Sequence, residues 1–210
     1  MPPPSPVFTL ALTGGIATGK SSFAEAFRKL APEETAFFDC DACVHELLTK
    51  PEVARMIMVS LGEDLADSEG RLDKSRLRER VFHDQESRRT LEGILHPLVR
   101  GECQLARQLA LAAPDIRFFL MDVPLLYESG FPMPRDLEIT VACGPATQRQ
   151  RLMARSHFAP DLADRIIASQ LPLMEKAARA GAVIWNGGPR GALLRQTTSF
   201  FTWLKSKLNH

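Results

Sequence analysis

The chain has 210 residues, is 45% apolar and 24% charged, and carries Lys plus Arg at 26 against Asp plus Glu at 25 for a net charge of +1. That is the composition of a globular chain of one or two domains, long enough to bury roughly 70% of its extended surface without disulfides or metals. It excludes a disordered or fibrous chain and gives no support to broad nucleic-acid binding. No apolar run approaches the roughly 18–20 residues that span a bilayer. The opening stretch lacks a basic leader, and 4 cysteines are too few for a disulfide scaffold. The expectation is a cytoplasmic protein with no membrane and no nucleic-acid partner.

The prolines from Pro2 to Pro6 bar helix and internal strand and read as a frayed tail. Val7–Leu12 is short, apolar and rich in strand formers, the pattern of a strand buried on both faces. A glycine-rich turn follows, after which Phe23, Phe27 and Leu30 recur at helical spacing over Ser21–Leu30. Ala36–Phe38 reads as a second strand, ended by Asp39, Cys40 and Asp41. Strand, loop, helix, strand implies a right-handed parallel unit.

From Ala42 to about Ala113 the pattern is helical. Val53, Met56, Ile57 and Leu61 share one face, Gly62 is a stop, residues 68–70 mark a turn, and Asp73 is placed to cap the helix carrying Leu77 and Val81. Pro97, directly after His96, predicts that one helix ends or kinks there and another begins. So long a helical stretch between strands exceeds a single crossover and reads as an inserted subdomain. Arg117–Val123 and Leu137–Ala142 are further strands, and Thr147–Arg155 and Asp161–Leu171 are arginine-containing helices separated by a turn at Pro160. Val183–Trp185 is a short last strand, and Gly191–Leu208 is a closing amphipathic helix.

The chemistry lies in Gly14, Gly15, Ile16, Ala17, Thr18, Gly19, Lys20 and Ser21, a full match to G-x-x-x-x-G-K-S/T between a buried strand and a helix. Glycines let successive N–H groups turn inward as a nest for phosphate oxygens, and the following helix N-terminus, through Ser22, adds partial positive charge. Lys20 can reach the β- and γ-phosphates and the Ser21 hydroxyl can hold Mg²⁺, which makes this a nucleoside triphosphate site. No N-K-x-D motif reads guanine, and no acidic pair follows the Arg117–Val123 strand to activate water. Asp122, near that strand's end, could bind Mg²⁺ through water or merely cap the next turn.

Asp39 and Asp41 follow the second strand at the edge of a parallel sheet where ligands bind. A carboxylate there could take the proton of a substrate hydroxyl and align it for in-line attack; alternatively one or both cap the helix from Ala42. The arginines of 147–165 (Arg149, Arg151, Arg155 and Arg165) suit a lid that neutralises the transferring phosphoryl group, or else a solvated face. Cys40 and Cys43 form C-x-x-C, but with only His45 nearby they fall short of the four ligands zinc takes.

Six segments (GGIATGKSS, DCDACVHEL, ILHPLVR, MDVPLLYESG, QRQRLMARS and VIWNGG) occur in the order found in the dephospho-coenzyme A kinases, and the chain resembles that family over about residues 7–205. The resemblance implies phosphorylation of the ribose 3′-hydroxyl of dephospho-coenzyme A by ATP with Mg²⁺, giving coenzyme A and ADP. It implies an α/β, P-loop NTPase-type parallel sheet of about five strands flanked by helices, with an inserted helical substrate domain and a helical lid. The corresponding expected boundaries are a core of 1–41, 114–145 and 176–210, an insert of 42–113 and a lid of 146–175.

By position, Asp41 would orient the hydroxyl. His96, Pro97 and Arg100 would hold the acceptor, and Pro124, Leu125, Leu126 and Glu128 would line its cleft. Arg151 and Arg155 would be the lid arginines, and Asn186 with Gly188 would lie near the adenine. The sequence departs from the family at Ser156–His157, at Gly187 and at Ala17–Thr18, where Gly–Ser is commoner; Ala17 fits only with an ordinary backbone angle. A kinase for another small metabolite, or a nucleotide-dependent switch, would share the loop.

Overall fold

The computed structural model describes residues 7–208; the proline-rich opening lies outside them. Five strands, β1 (Phe8–Gly14), β2 (Thr35–Asp39), β3 (Phe118–Asp122), β4 (Leu137–Ala142) and β5 (Ala182–Trp185), form one sheet in the order β2-β3-β1-β4-β5. β1 pairs in parallel with β3 and with β4, and β4 in parallel with β5. The central strand is flanked on both sides and both faces, so its Leu10, Ala11 and Leu12 are wholly buried. Successive strands step to one side of β1 and then to the other, which puts the topological switch at β1. The loop leaving such a strand is where ligands bind in open α/β sheets.

Helices α1 (Lys20–Leu30) and α9 (Arg190–Leu208) cover one sheet face through Phe23, Phe27, Leu193, Phe201 and Leu204. The Phe27 ring stands edge-on to Phe118 at 5.6 Å and to Phe201 at 5.5 Å. Truncating such a ring costs about 3–5 kcal/mol. Later in the chain come α6 (Pro145–Ser156), α7 (Pro160–Ala168) and α8 (Leu173–Arg179). The sequence pattern anticipates the first two, the second of them ending at Ala168 rather than Leu171; the third, too short to display a period, begins beyond it at Leu173.

The chain divides into two compact units, one of residues up to Phe38 with Ala106 onward, the other Asp39–Leu105. The second holds α2 (Cys40–Leu47), α3 (Pro51–Leu61), α4 (Lys74–His83) and most of α5 (Gln85–Ala112). Gly62 ends α3, and Asp73 caps α4 by accepting the Ser75 and Arg76 amides, as the sequence predicts. Asp84 does the same for α5 through the Glu86 and Ser87 amides.

The break expected at Pro97 does not occur: α5 runs through it unbroken. Leu95, Val99 and Cys103, spaced by four, are buried across the proline. Burying that continuous stripe outweighs the roughly 3 kcal/mol of a mid-helix proline. All of Cys40, Cys43, Cys103 and Cys143 are buried thiols.

Candidate active site

The loop between β1 and α1 owes its shape to close approaches. A side chain at Gly14 would place Cβ 2.6 Å from the Val141 carbonyl oxygen. Gly19, at φ 96°, leaves no room beside Asn186, whose amide nitrogen would sit 2.0 Å from a Cβ. α1 then begins with no side-chain cap and no acidic residue in its first turn. Its leading N–H groups therefore present partial positive charge to an anion, with the Ser21 and Ser22 side chains exposed beside them.

Ala17 does not have the ordinary backbone angle expected of it: its φ is 60°, in the left-handed region. An alanine there costs roughly 1–2 kcal/mol, and the peptides on either side are held against relaxation. The Ile16 N–H donates to Gln170 Oε1 at 2.8 Å and its carbonyl accepts from Gln148 Nε2 at 2.9 Å. The Thr18 hydroxyl donates to the Gly15 carbonyl at 2.9 Å. The Thr18 carbonyl accepts from Asn186 Nδ2 at 2.9 Å and from Arg151 at 3.4 Å.

Lys20 reaches across to Asp122 at the end of β3, Nζ to Oδ1 2.5 Å, with both side chains largely buried. A polyphosphate entering the loop would compete for the same ammonium. Beyond Asp122 the chain turns through Pro124, Leu125, Leu126 and Glu128, with Leu126 buried and Leu125 exposed. The Pro124 carbonyl accepts from the Thr13 hydroxyl and from Lys176 Nζ. Glu128 pairs with Lys176 at 2.7 Å and accepts the Leu171 N–H. Burial pushes the Glu128 carboxyl up, but the Lys176 ammonium and the N–H groups of Glu128 and Leu171 together hold it below the usual carboxylate range.

The arginines of α6 divide into different roles. Arg149 is tied to Asp164 of α7 at 2.7 Å, Arg151 touches the phosphate loop, and Arg155 is exposed with no ion pair among the described residues. α6 ends at His157 with φ 53°, a left-handed cap position that aspartate and asparagine tolerate well. Asn186 is buried and Gly188 exposed.

In the helical unit the two aspartates are not equivalent. Asp39 caps α2, accepting the Ala42 N–H at 3.0 Å, so the helix starts at Cys40, earlier than its sequence suggests. Asp41 sits exposed in the first turn. His96, Pro97 and Arg100 are exposed on α5, with His96 and Arg100 four residues apart and hence on one face. The thiol of Cys43 is pushed up to about 11 by burial and by the Glu102, Glu46 and Asp39 carboxylates. No group of three or more His, Cys, Asp or Glu among the described residues is arranged to hold a metal.

Sequence reasoning missed Gln148, Gln170 and Lys176. Each contacts a loop residue more than 130 positions away, and no local pattern marks such a partner.

Comparison with known proteins bears on the family and the fold. The sequence profile of the family described as dephospho-CoA kinase matches residues 8–190. A dephospho-CoA kinase of Thiobacillus denitrificans is 39% identical over 193 residues, 90% of this chain and 92% of that one. Among solved structures, TT1252 from Thermus thermophilus superposes with a TM-score of 0.76 at 28% identity, covering 94% of this chain and 98% of that one. A dephospho-CoA kinase from Campylobacter jejuni has a TM-score of 0.67 at 24% identity, with coverages of 96% and 98%, and shares the fold. With its phosphate loop, its five-stranded parallel sheet and a match spanning most of its length, the chain belongs to the dephospho-CoA kinase family.

Proposed function

We propose that the protein transfers the γ-phosphoryl group of ATP to the ribose 3′-hydroxyl of dephospho-coenzyme A, releasing coenzyme A and ADP. The observation that carries this reading is the uncapped start of α1 behind a loop whose peptides are individually held, with Lys20 parked on Asp122. Such a loop is organised before its ligand arrives, so little reorganisation is left for the moment of reaction. Loop amides and Lys20 bind the β- and γ-phosphates, while Arg151 and Arg155 balance charge on the transferring group.

The Ser21 hydroxyl and the Asp122 carboxylate fit Mg²⁺, a hard cation usually held by one or two protein oxygens together with substrate phosphates. Bound there, the ion would neutralise phosphate charge; the lack of a fuller ligand cluster among the described residues suits an ion brought by the nucleotide. Asp41 accepts the proton of the 3′-hydroxyl as its oxygen bonds to phosphorus and the bond to ADP breaks. Residues 42–113 form the acceptor-binding domain, in which His96, Pro97 and Arg100 hold the acceptor; Pro124, Leu125, Leu126 and Glu128 are also assigned to acceptor binding. Residues 146–175 form the lid, and the adenine lies by Asn186 and Gly188. No helix among the described residues is long and apolar enough to cross a membrane, which suits the proposed cytoplasmic setting.

The direct test is incubation with ATP, Mg²⁺ and dephospho-coenzyme A, followed by mass analysis. Formation of coenzyme A with matching ADP supports the reading. ADP release stimulated only by a different hydroxyl compound from an acceptor panel, or no acceptor-stimulated turnover at all, overturns it.

A further inference from the structure

Lys176 on α8 has a wholly buried side chain. A buried ammonium costs several kcal/mol in lost hydration unless its donors are met. Here each of its three N–H bonds has an acceptor: Glu128 Oε1 at 2.7 Å, the Pro124 carbonyl at 3.2 Å and the Gly14 carbonyl at 3.4 Å. The two carbonyls mark where neighbouring strands part. Register between β1 and β3 runs to Leu12 opposite Asp122, and the last ladder bond is from the Val123 N–H to the Leu12 carbonyl. Beyond it the chains diverge, one into the phosphate loop and the other into the turn through Pro124. Thr13 and Lys176 bridge that gap, and Lys176 is itself fixed to β4 by the Thr140 hydroxyl bonding its carbonyl.

We infer that Lys176 is a positioning residue for phosphoryl transfer, holding the ends of β1 and β3 at the spacing that presents the phosphate loop and the Lys20–Asp122 pair to the nucleotide. Glu128 balances its charge, and the two carbonyls are what the ammonium positions. An apolar residue of the same length would fill the volume and leave both strand ends without their tie. The inference builds on the proposed kinase reaction, but its main readout, nucleotide affinity, needs no acceptor.

The test uses the full chain as Lys176→Met, and as Lys176→Met combined with Glu128→Gln, which leaves no unbalanced charge. Melting temperature, affinity for a fluorescent methylanthraniloyl-ADP, and kcat and KM for ATP are measured on each. The double variant should recover the wild-type melting temperature yet bind the ADP analogue at least about tenfold more weakly, with kcat/KM for ATP down by up to about 10²-fold, the scale of an ångström-sized misplacement. Wild-type ADP affinity and kcat in a double variant of native stability would overturn the inference and reduce Lys176 to packing. Should Lys176→Met alone fail to fold, the double variant carries the measurement. A wild-type protein that binds the ADP analogue but forms no coenzyme A refutes the reaction and leaves this comparison standing.

Discussion

The sheet-bearing unit and the Asp39–Leu105 unit carry their candidate residues in opposite ways. Around the phosphate loop the polar groups are buried and engaged: Lys176, Gln148 and Asn186 are each nine-tenths or more buried, and each donates to a backbone carbonyl of the loop. In the helical unit the apolar stripe of Val53, Ile57, Leu95 and Val99 and the aspartate caps form the fold, while Asp41, His96 and Arg100 stand exposed. Chemistry and stability are entangled in the first unit and separable in the second.

The largest expected effects test that separation. Asp41→Asn should lower kcat by about 10²–10⁴ and lower the melting temperature by no more than a few degrees. The exposed carboxylate has no ion pair among the described residues and loses only its first-turn attraction to the start of α2, about 0.3–1 kcal/mol. Lys20→Ala should cost about 10²–10³ in turnover and destabilise by about 1–3 kcal/mol, since it takes the ammonium away from the buried Asp122 carboxylate. Steady-state kinetics beside thermal melts check both. An Asp41→Asn protein that melts more than a few degrees early, or a Lys20→Ala protein of native stability, breaks the comparison.

A smaller effect sharpens it through pH. Glu128 has its folded-state pKa held below the ordinary value, so its contribution to stability is fully present above that value and is lost as pH falls through the lowered one. Urea melts of Glu128→Gln should therefore show a shallower loss of stability on acidification than the wild type. Asp84 of the helical unit is also held low, first by the Ser87 hydroxyl, but it is exposed. Added salt should weaken its share of the acid response and spare that of Glu128. An acid limb unchanged in Glu128→Gln would place the response elsewhere.

The smallest effect is at Ala17. Glycine would relieve roughly 1–2 kcal/mol of left-handed strain while giving the unfolded chain about 0.4–1 kcal/mol more entropy. The net gain of at most about 1.6 kcal/mol should appear in Ala17→Gly as a rise of a few degrees in melting temperature, at about 2–4 °C per kcal/mol for a chain of this size. A fall would show that the alanine methyl makes a contact worth more than the strain.

Much of this molecule is legible in its sequence because the decisive signals are local. Five apolar residues among the six of Val7–Leu12, just before a glycine-rich loop, can hardly be other than a buried strand, and the Phe23–Phe27–Leu30 spacing fixes the inner face of α1. The helix through Pro97 is not legible in this way, since a proline's local penalty is visible and the burial that offsets it is not. Asp39 and Asp41 look alike as letters; a two-residue difference in where α2 begins makes one a cap and leaves the other to solvent. Lys176 illustrates the remaining limit. In LMEKAAR it reads as an ordinary surface charge, and only the fold brings Gly14, Pro124 and Glu128 around it.

The buried cysteines bear on what the protein can handle safely. Both dephospho-coenzyme A and coenzyme A end in a sulfhydryl, and an accessible thiolate on the catalyst would trade disulfides with oxidised forms of either. Exchange requires an ionised sulfur that an incoming molecule can reach. With Cys43 ionising only near pH 11, Cys143 raised by its own burial, and Cys40 and Cys103 enclosed, the chain keeps its sulfur chemically silent beside a reactive cargo.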